Sequence, residues 1–253
     1  MRPKRIAVIV LATLAVGYFA IVAVVFALQR SMIFPAPAGA RVPRSGLVRG
    51  GSFIAFHLPG PRVVVHFHGN AEQLADSEWL GGKFVEQGLG FYAVEYPGYG
   101  LAAATPVSEE AIYAAAEAAL SELEKTVPRE QMVLEGQSLG TGVAVEMAKR
   151  GHGSKLVLLS AYTSIPDVAA VAVPFLPARL LVRDRFDTAS KAKALALPVL
   201  LIHGSADEVI PVEMSRSLAT LFPNATLKII EGAHHNDLID RPEVLEALVG
   251  FAR

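Results

Sequence analysis

Met132-Val133-Leu134-Glu135-Gly136-Gln137-Ser138-Leu139-Gly140 is where an apolar run ends abruptly in Gly-x-Ser-x-Gly and a helical pattern begins. That succession predicts a strand, a tight turn and a helix, the setting in which a serine hydroxyl is presented as a nucleophile. Side chains flanking the serine would collide in so tight a turn. Gly136 and Gly140 lack a Cβ and remove the collision. The hydroxyl then stands at the top of the strand, and the N-terminus of the following helix favours negative charge developing beside it. Two glycines around a serine also occur in ordinary turns, so the reading depends on what the rest of the chain supplies.

A serine hydroxyl is barely ionised at neutral pH and needs a base within hydrogen-bond reach, held in the right tautomer by a third group. Candidates must sit at strand ends to converge on the turn. Asp207 follows the apolar run Leu200-Leu201-Ile202-His203 and precedes Pro211, which places it in a loop between a strand and a helix; Glu208 is the alternative acid. His234 and His235 follow the last expected strand, residues 226–230. His235, directly before Asn236-Asp237, is the preferred base and His234 its competitor. The order Ser138, Asp207, His235 is that of an α/β-hydrolase triad. A negative oxygen in the tetrahedral intermediate calls for backbone N–H donors. One is the amide of Leu139, next after the serine; Asn70, in the loop opened by His68-Gly69, is the candidate for the other. His66 and His68 alternate along a strand, as metal ligands can, but no cysteine and no carboxylate before Glu72 accompanies them, and no metal or cofactor is expected.

Around these residues, strands and helices alternate. Residues 62–67 and 90–95 are continuous apolar runs, the mark of strands covered on both faces, and 52–58 reads as an edge strand. Residues 71–87 read as a helix, and Ser108 with Glu109 and Glu110 behind it reads as the N-cap of another. Helices are also expected over 139–150, 211–221 and 242–252, with strands at 155–160, 199–203 and 226–230. The fold class is α/β: a mostly parallel sheet with helices on both faces. Residues 165–197 interrupt the rhythm with Pro166, Pro174 and Pro177 and an apolar stretch over 168–182, which reads as a short lid able to touch a bilayer. An ordinary crossover with irregular ends fits the same stretch.

The N-terminus has its own character. Residues 6–28 are 23 positions without a charge, more than the roughly 20 that cross a hydrocarbon core and longer than the about 7–15 apolar residues of a cleavable signal. They are expected to form an uncleaved signal anchor, with 29–50 a proline-broken juxtamembrane linker and 51–253 the catalytic domain. Arg2, Lys4, Arg5 and the α-amine crowd one side while Arg30 stands alone on the other, which favours an N-terminus in the cytoplasm and a catalytic domain outside it. In a chain of 253 residues with a net charge of −1, nothing marks a nucleic-acid partner, and the absence of cysteine excludes disulfides, thiolate metal sites and a cysteine nucleophile.

Five segments together carry a family resemblance: His68-Gly69-Asn70-Ala71, Glu95-Tyr96-Pro97-Gly98-Tyr99-Gly100, Gly136-Gln137-Ser138-Leu139-Gly140, His203-Gly204-Ser205-Ala206-Asp207 and His235-Asn236-Asp237. The chain resembles a serine hydrolase of the α/β-hydrolase superfamily. It is similar to the membrane-anchored branch that includes eukaryotic depalmitoylating and lysophospholipid-cleaving hydrolases and their bacterial relatives. Many of those have Asp where this chain has Glu95, a position that shapes a turn. The depalmitoylating members rely on an acylated cysteine-rich N-terminus that this chain lacks, so their substrate does not carry over. The resemblance implies cleavage of carboxylic esters or thioesters, on small-molecule, lipid or acylated substrates beside a bilayer. A peptidase of the same fold and a non-catalytic tethered binding protein are the rival readings.

Overall fold

The computed structural model describes residues 2–253. The α-amine counted above belongs to Met1, which lies outside them. Helix α1 (Arg2–Ile33) leads the chain. From Ile6 to Ile21 its apolar side chains face outward on every side, Leu14 and Phe19 being 65% and 67% exposed, and the helix is long and apolar enough to cross a membrane. The linker expected over 29–50 is shorter than that: α1 continues through Ile33, and Leu47–Arg49 forms strand β1. Prolines 35, 37 and 43 confine the irregular connection to the residues between.

The remaining strands are β2 (Ile54–Leu58), β3 (Val63–Phe67), β4 (Gly90–Val94), β5 (Met132–Gln137), β6 (Lys155–Leu159), β7 (Val199–Gly204) and β8 (Ala225–Ile230). They make one eight-stranded sheet in the order β1-β2-β4-β3-β5-β6-β7-β8. β1, β2 and β4 pair antiparallel, and every pairing from β4 through β8 is parallel. The edge belongs to β1, not to β2 as the sequence suggested. All residues of β3, β4 and β7 are buried, as their unbroken apolar runs require when helices cover both faces. Two apolar cores result, one on each face, the larger centred on Val65, Leu134 and Leu158 and the smaller on Val64, Val133 and Val157. Neighbouring residues of the same strand thus divide between the two faces.

The helices are α2 (Glu78–Glu86), α3 (Glu109–Leu123), α4 (Leu139–Lys149), α5 (Ile165–Ala172), α6 (Ala178–Leu181), α7 (Thr188–Ala192), α8 (Val212–Leu221) and α9 (Pro242–Ala252). The single helix expected over 71–87 is broken: a 3₁₀ turn at Leu74–Ser77 precedes α2. Ser108 caps α3 by accepting from the Ala111 N–H at 3.1 Å.

The stretch between β6 and β7 holds α5, α6 and α7, and α1 is fastened to it. Arg30 makes a two-pronged ion pair with the buried Asp184 at 2.8 and 3.2 Å. Gln29 donates to the Leu181 carbonyl at 3.3 Å and accepts from the Arg183 N–H at 2.8 Å. The Tyr18 hydroxyl donates to the Phe175 carbonyl at 3.0 Å. α1 therefore continues into the α/β body instead of trailing from it on a flexible leash.

Candidate active site

β5 delivers Ser138 to the carboxyl edge of the sheet. Its backbone sits at φ 50, ψ −118, a conformation that an L-residue adopts only at a cost. The turn closes because of the glycines around it. A Cβ on Gly136 would meet the Gly140 carbonyl oxygen at 2.4 Å, and one on Gly140 would meet the Phe67 carbonyl oxygen at 1.8 Å. α4 starts at Leu139, so Ser138 stands at the positive end of a helix packed against β3.

The structure brings the sequence candidates together. The Ser138 hydroxyl lies 3.0 Å from His235 Nε2, and His235 Nδ1 lies 2.8 Å from Asp207 Oδ2. His234, the competing base, faces away: its side chain is 59% exposed and pairs with Glu208 at 3.1 Å. Glu208 therefore serves the other histidine.

Asp207 is the most heavily supported group in the site. Its Oδ1 accepts from the amides of Val209 and Ile210 at 2.9 and 2.8 Å, and its Oδ2 accepts from the Ser160 hydroxyl at 2.8 Å. His203 Nε2 approaches the same oxygen at 3.2 Å. Burial works against the carboxylate, but the hydrogen bonds from His203, His235 and the Ile210 amide outweigh it and hold Asp207 well below the usual carboxylate range. Sequence reasoning passed over Ser160 and the role of His203. Ser160 is the residue after β6, at φ 49, and its place at the end of the strand beside β7 was the available signal.

The loop after β3 closes the other side. A Cβ on Gly69 would lie 3.5 Å from that of Ser138, so the loop abuts the serine. Among the described residues, neither the Leu139 N–H nor the Asn70 N–H has an acceptor. Asn70 is gripped from two directions: its side-chain amide donates to the Ile33 carbonyl at the end of α1 at 2.8 Å, and its oxygen accepts from the Tyr99 hydroxyl at 2.7 Å. The next residue also reaches back, Ala71 N–H donating to the Pro35 carbonyl at 2.9 Å. Tyr96 donates to the His68 carbonyl at 3.0 Å. The segment of residues 95–100 is thus a brace for this loop as well as a turn.

Beneath the loop lie buried ionisable groups. His66 Nδ1 pairs with the carboxylate of Glu135, its register partner on β5. Counting carboxylates along the chain had missed this neighbour, and His66 and His68 do not converge: His68 stacks on Tyr96 at 3.9 Å between centroids. Burial opposes charge on His66, but Glu135 outweighs it and lifts the imidazole above its ordinary range; burial pushes His68 down to about 3.

Glu95 accepts from the amides of Leu74 and Leu101 at 3.3 and 3.1 Å. Its burial drives its pKa up to about 7, against the pull of those amides. The folded state therefore keeps this proton to higher pH than the unfolded chain, whose glutamates titrate at about 4.3. The stability Glu95 contributes is full below that value and is lost as pH rises through about 7. Glu95→Gln keeps an acceptor for both amides and removes the titration. Its thermal midpoint is expected to fall less steeply than that of the wild type across this interval, measured by calorimetry at a series of pH values.

A parallel sheet with a strained serine elbow at its carboxyl edge, and a histidine and a buried carboxylate arriving from the last two strands, defines a hydrolase architecture. Residues 60–186 match the family model described as serine aminopeptidase, S33, and residues 178–242 match the one described as alpha/beta hydrolase fold. The chain belongs to the α/β-hydrolase family. It is 33% identical over 197 residues to the uncharacterized protein Rv2307c of Mycobacterium tuberculosis, covering 76% of this chain and 69% of that one. It is also 33% identical over 199 residues to alpha/beta hydrolase domain-containing protein 17C of Xenopus tropicalis, spanning 62% of that protein's length. Among solved structures, the monoacylglycerol lipase of Paleococcus ferrophilus superposes with a TM-score of 0.60 at 22% identity, over 79% of this chain and 98% of the lipase. An esterase of Exiguobacterium antarcticum superposes with a TM-score of 0.65 at 17% identity, over 82% and 99% of the two chains.

Proposed function

We propose that this chain is a membrane-anchored serine hydrolase that cleaves carboxylic ester or thioester bonds. The observation that carries the reading is the relay from Ser138 to His235 at 3.0 Å and from His235 to Asp207 at 2.8 Å. His235 Nε2 takes the hydroxyl proton as Ser138 Oγ attacks the substrate carbonyl carbon. The Nδ1–H donates to Asp207, whose depressed pKa keeps it ionised to stabilise the imidazolium. The amides of Leu139 and Asn70 hold the oxyanion, each donor worth roughly 3 kcal/mol in the transition state. As the tetrahedral intermediate collapses, His235 returns the proton to the departing alcohol or thiol, leaving an acyl ester on Ser138. Water then attacks that ester with His235 again as base, and the acid leaves. α1 anchors the enzyme in a bilayer, and Lys4 and Arg5 at its start support a cytoplasmic N-terminus with the catalytic body on the opposite side.

A fluorophosphonate probe tests the nucleophile. Wild type labels on Ser138, and Ser138→Ala does not label; equal labelling of the two ends the proposal. The description of the model matching residues 60–186 favours a second reading, a peptidase. Side-by-side turnover of short acyl esters, lysophospholipid and aminoacyl amides separates the two, with ester cleavage expected to dominate.

A further inference from the structure

Between α1 and the α5–α6 segment runs a cavity of about 240 Å³. One wall is the inner face of α1, with Val22, Val25, Phe26, Met32 and Ile33; the other includes Val168, Ala169 and Leu176. Its one polar lining residue, Gln29, has its amide engaged elsewhere: Nε2 donates to the Phe26 and Leu181 carbonyls and Oε1 accepts from the Arg183 N–H. The groove thus offers water few partners and suits an apolar guest.

Its two ends have different surroundings. The inner end is at Ile33, whose carbonyl holds the side chain of Asn70, the proposed oxyanion donor. The outer end is at Val22, one turn from Tyr18, in the stretch of α1 whose side chains face outward. At the level of Tyr18 the opposite wall ends in Phe175, which is 66% exposed; Leu180 nearby is 84% exposed. A helix of 32 residues is about 48 Å long against a hydrocarbon core of about 30 Å. A bilayer spanned by the outward-facing N-terminal part of α1 would leave its last turns outside the lipid alongside α5 and α6, with the outer mouth where lipid chains begin. From Val22 to Ile33 the groove follows about 16 Å of helix axis.

We propose that this groove is the acyl-chain subsite: a long-chain fatty acyl ester enters it sideways from the bilayer, its tail lying between α1 and α5 and its carbonyl reaching Ser138. The assignment rests on the serine-hydrolase reading above. It makes α1 a wall of the binding site as well as a tether.

The full chain in phosphatidylcholine nanodiscs tests it. Ala169→Trp fills the groove from one wall and Val25→Trp from the other. For each, the ratio of kcat/KM for a palmitoyl ester to that for an acetyl ester is expected to fall about tenfold or more, the loss that roughly two buried methylenes represent. Val85→Trp, exposed on α2 away from the groove, keeps the wild-type ratio. A ratio unchanged in both groove variants overturns the assignment. Photo-crosslinking with a diazirine-bearing palmitic acid reads the groove without catalysis. Adducts on α1 after Tyr18 and on α5 support the subsite, and adducts confined elsewhere refute it. Crosslinks in the groove with no fluorophosphonate label on Ser138 would leave the subsite standing and sink the nucleophile.

Discussion

Ser138→Ala and His235→Ala are each expected to lower kcat by about a millionfold, and the double variant to lower it no further. The two groups act as a unit. Without the hydroxyl there is nothing to acylate, and without Nε2 the hydroxyl keeps its proton. His234→Ala is the internal control. Its side chain is 59% exposed and engages Glu208, so its loss leaves turnover near the wild-type value. Asp207→Asn is intermediate, about ten-thousandfold, because an amide in that place favours the wrong tautomer of the imidazole. Ester hydrolysis under single-turnover conditions measures the whole series. A profile in which His234→Ala is the crippled variant reverses the assignment of the base.

Gly140→Ala is the substitution with the largest expected effect on the fold. The added methyl would sit 1.8 Å from the Phe67 carbonyl oxygen and 2.8 Å from that of His68, both backbone atoms of β3 and the loop behind it. Neither can swing aside as a flexible side chain would. Either α4 lifts from the sheet or the loop carrying Asn70 moves. Overpacking of this severity costs about 3 kcal/mol or more, a large part of the 5–15 kcal/mol that roughly spans domain stability. The variant is expected either to accumulate as insoluble protein or to melt about 10 °C lower. Gly82→Ala supplies the contrast. No heavy atom lies within 4 Å of its added Cβ, and alanine favours α2, so its thermal midpoint is expected to rise.

The parts of the molecule legible in the sequence are those governed by local pattern. The apolar runs at 63–67 and 90–94 announce buried strands, and the order of chemistry-bearing residues at strand ends selects Ser138, Asp207 and His235 before any distance is known. Contacts between remote segments leave no such trace. Glu135 reads as one residue of a strand, yet the parallel register of β3 and β5 sets it against His66. Ser160 reads as a strand end, yet the neighbouring strand brings Asp207 within 2.8 Å of it. Three-residue β1 is too short to show a period at all. The long apolar helix reads as an anchor by composition alone; its fastening to Asp184, 154 positions away, follows from tertiary packing.

That fastening has a practical side. Excising the first 33 residues, a common route to a soluble enzyme, would take away the Ile33 carbonyl that accepts from Asn70. It would also leave the Pro35 carbonyl, which accepts from Ala71, on a frayed chain end. Tyr99 alone would then steady the Asn70 side chain. A shortened enzyme assayed in plain buffer would report on a loosened Asn70 loop, and weak turnover there would be a property of the cut, not of the intact protein.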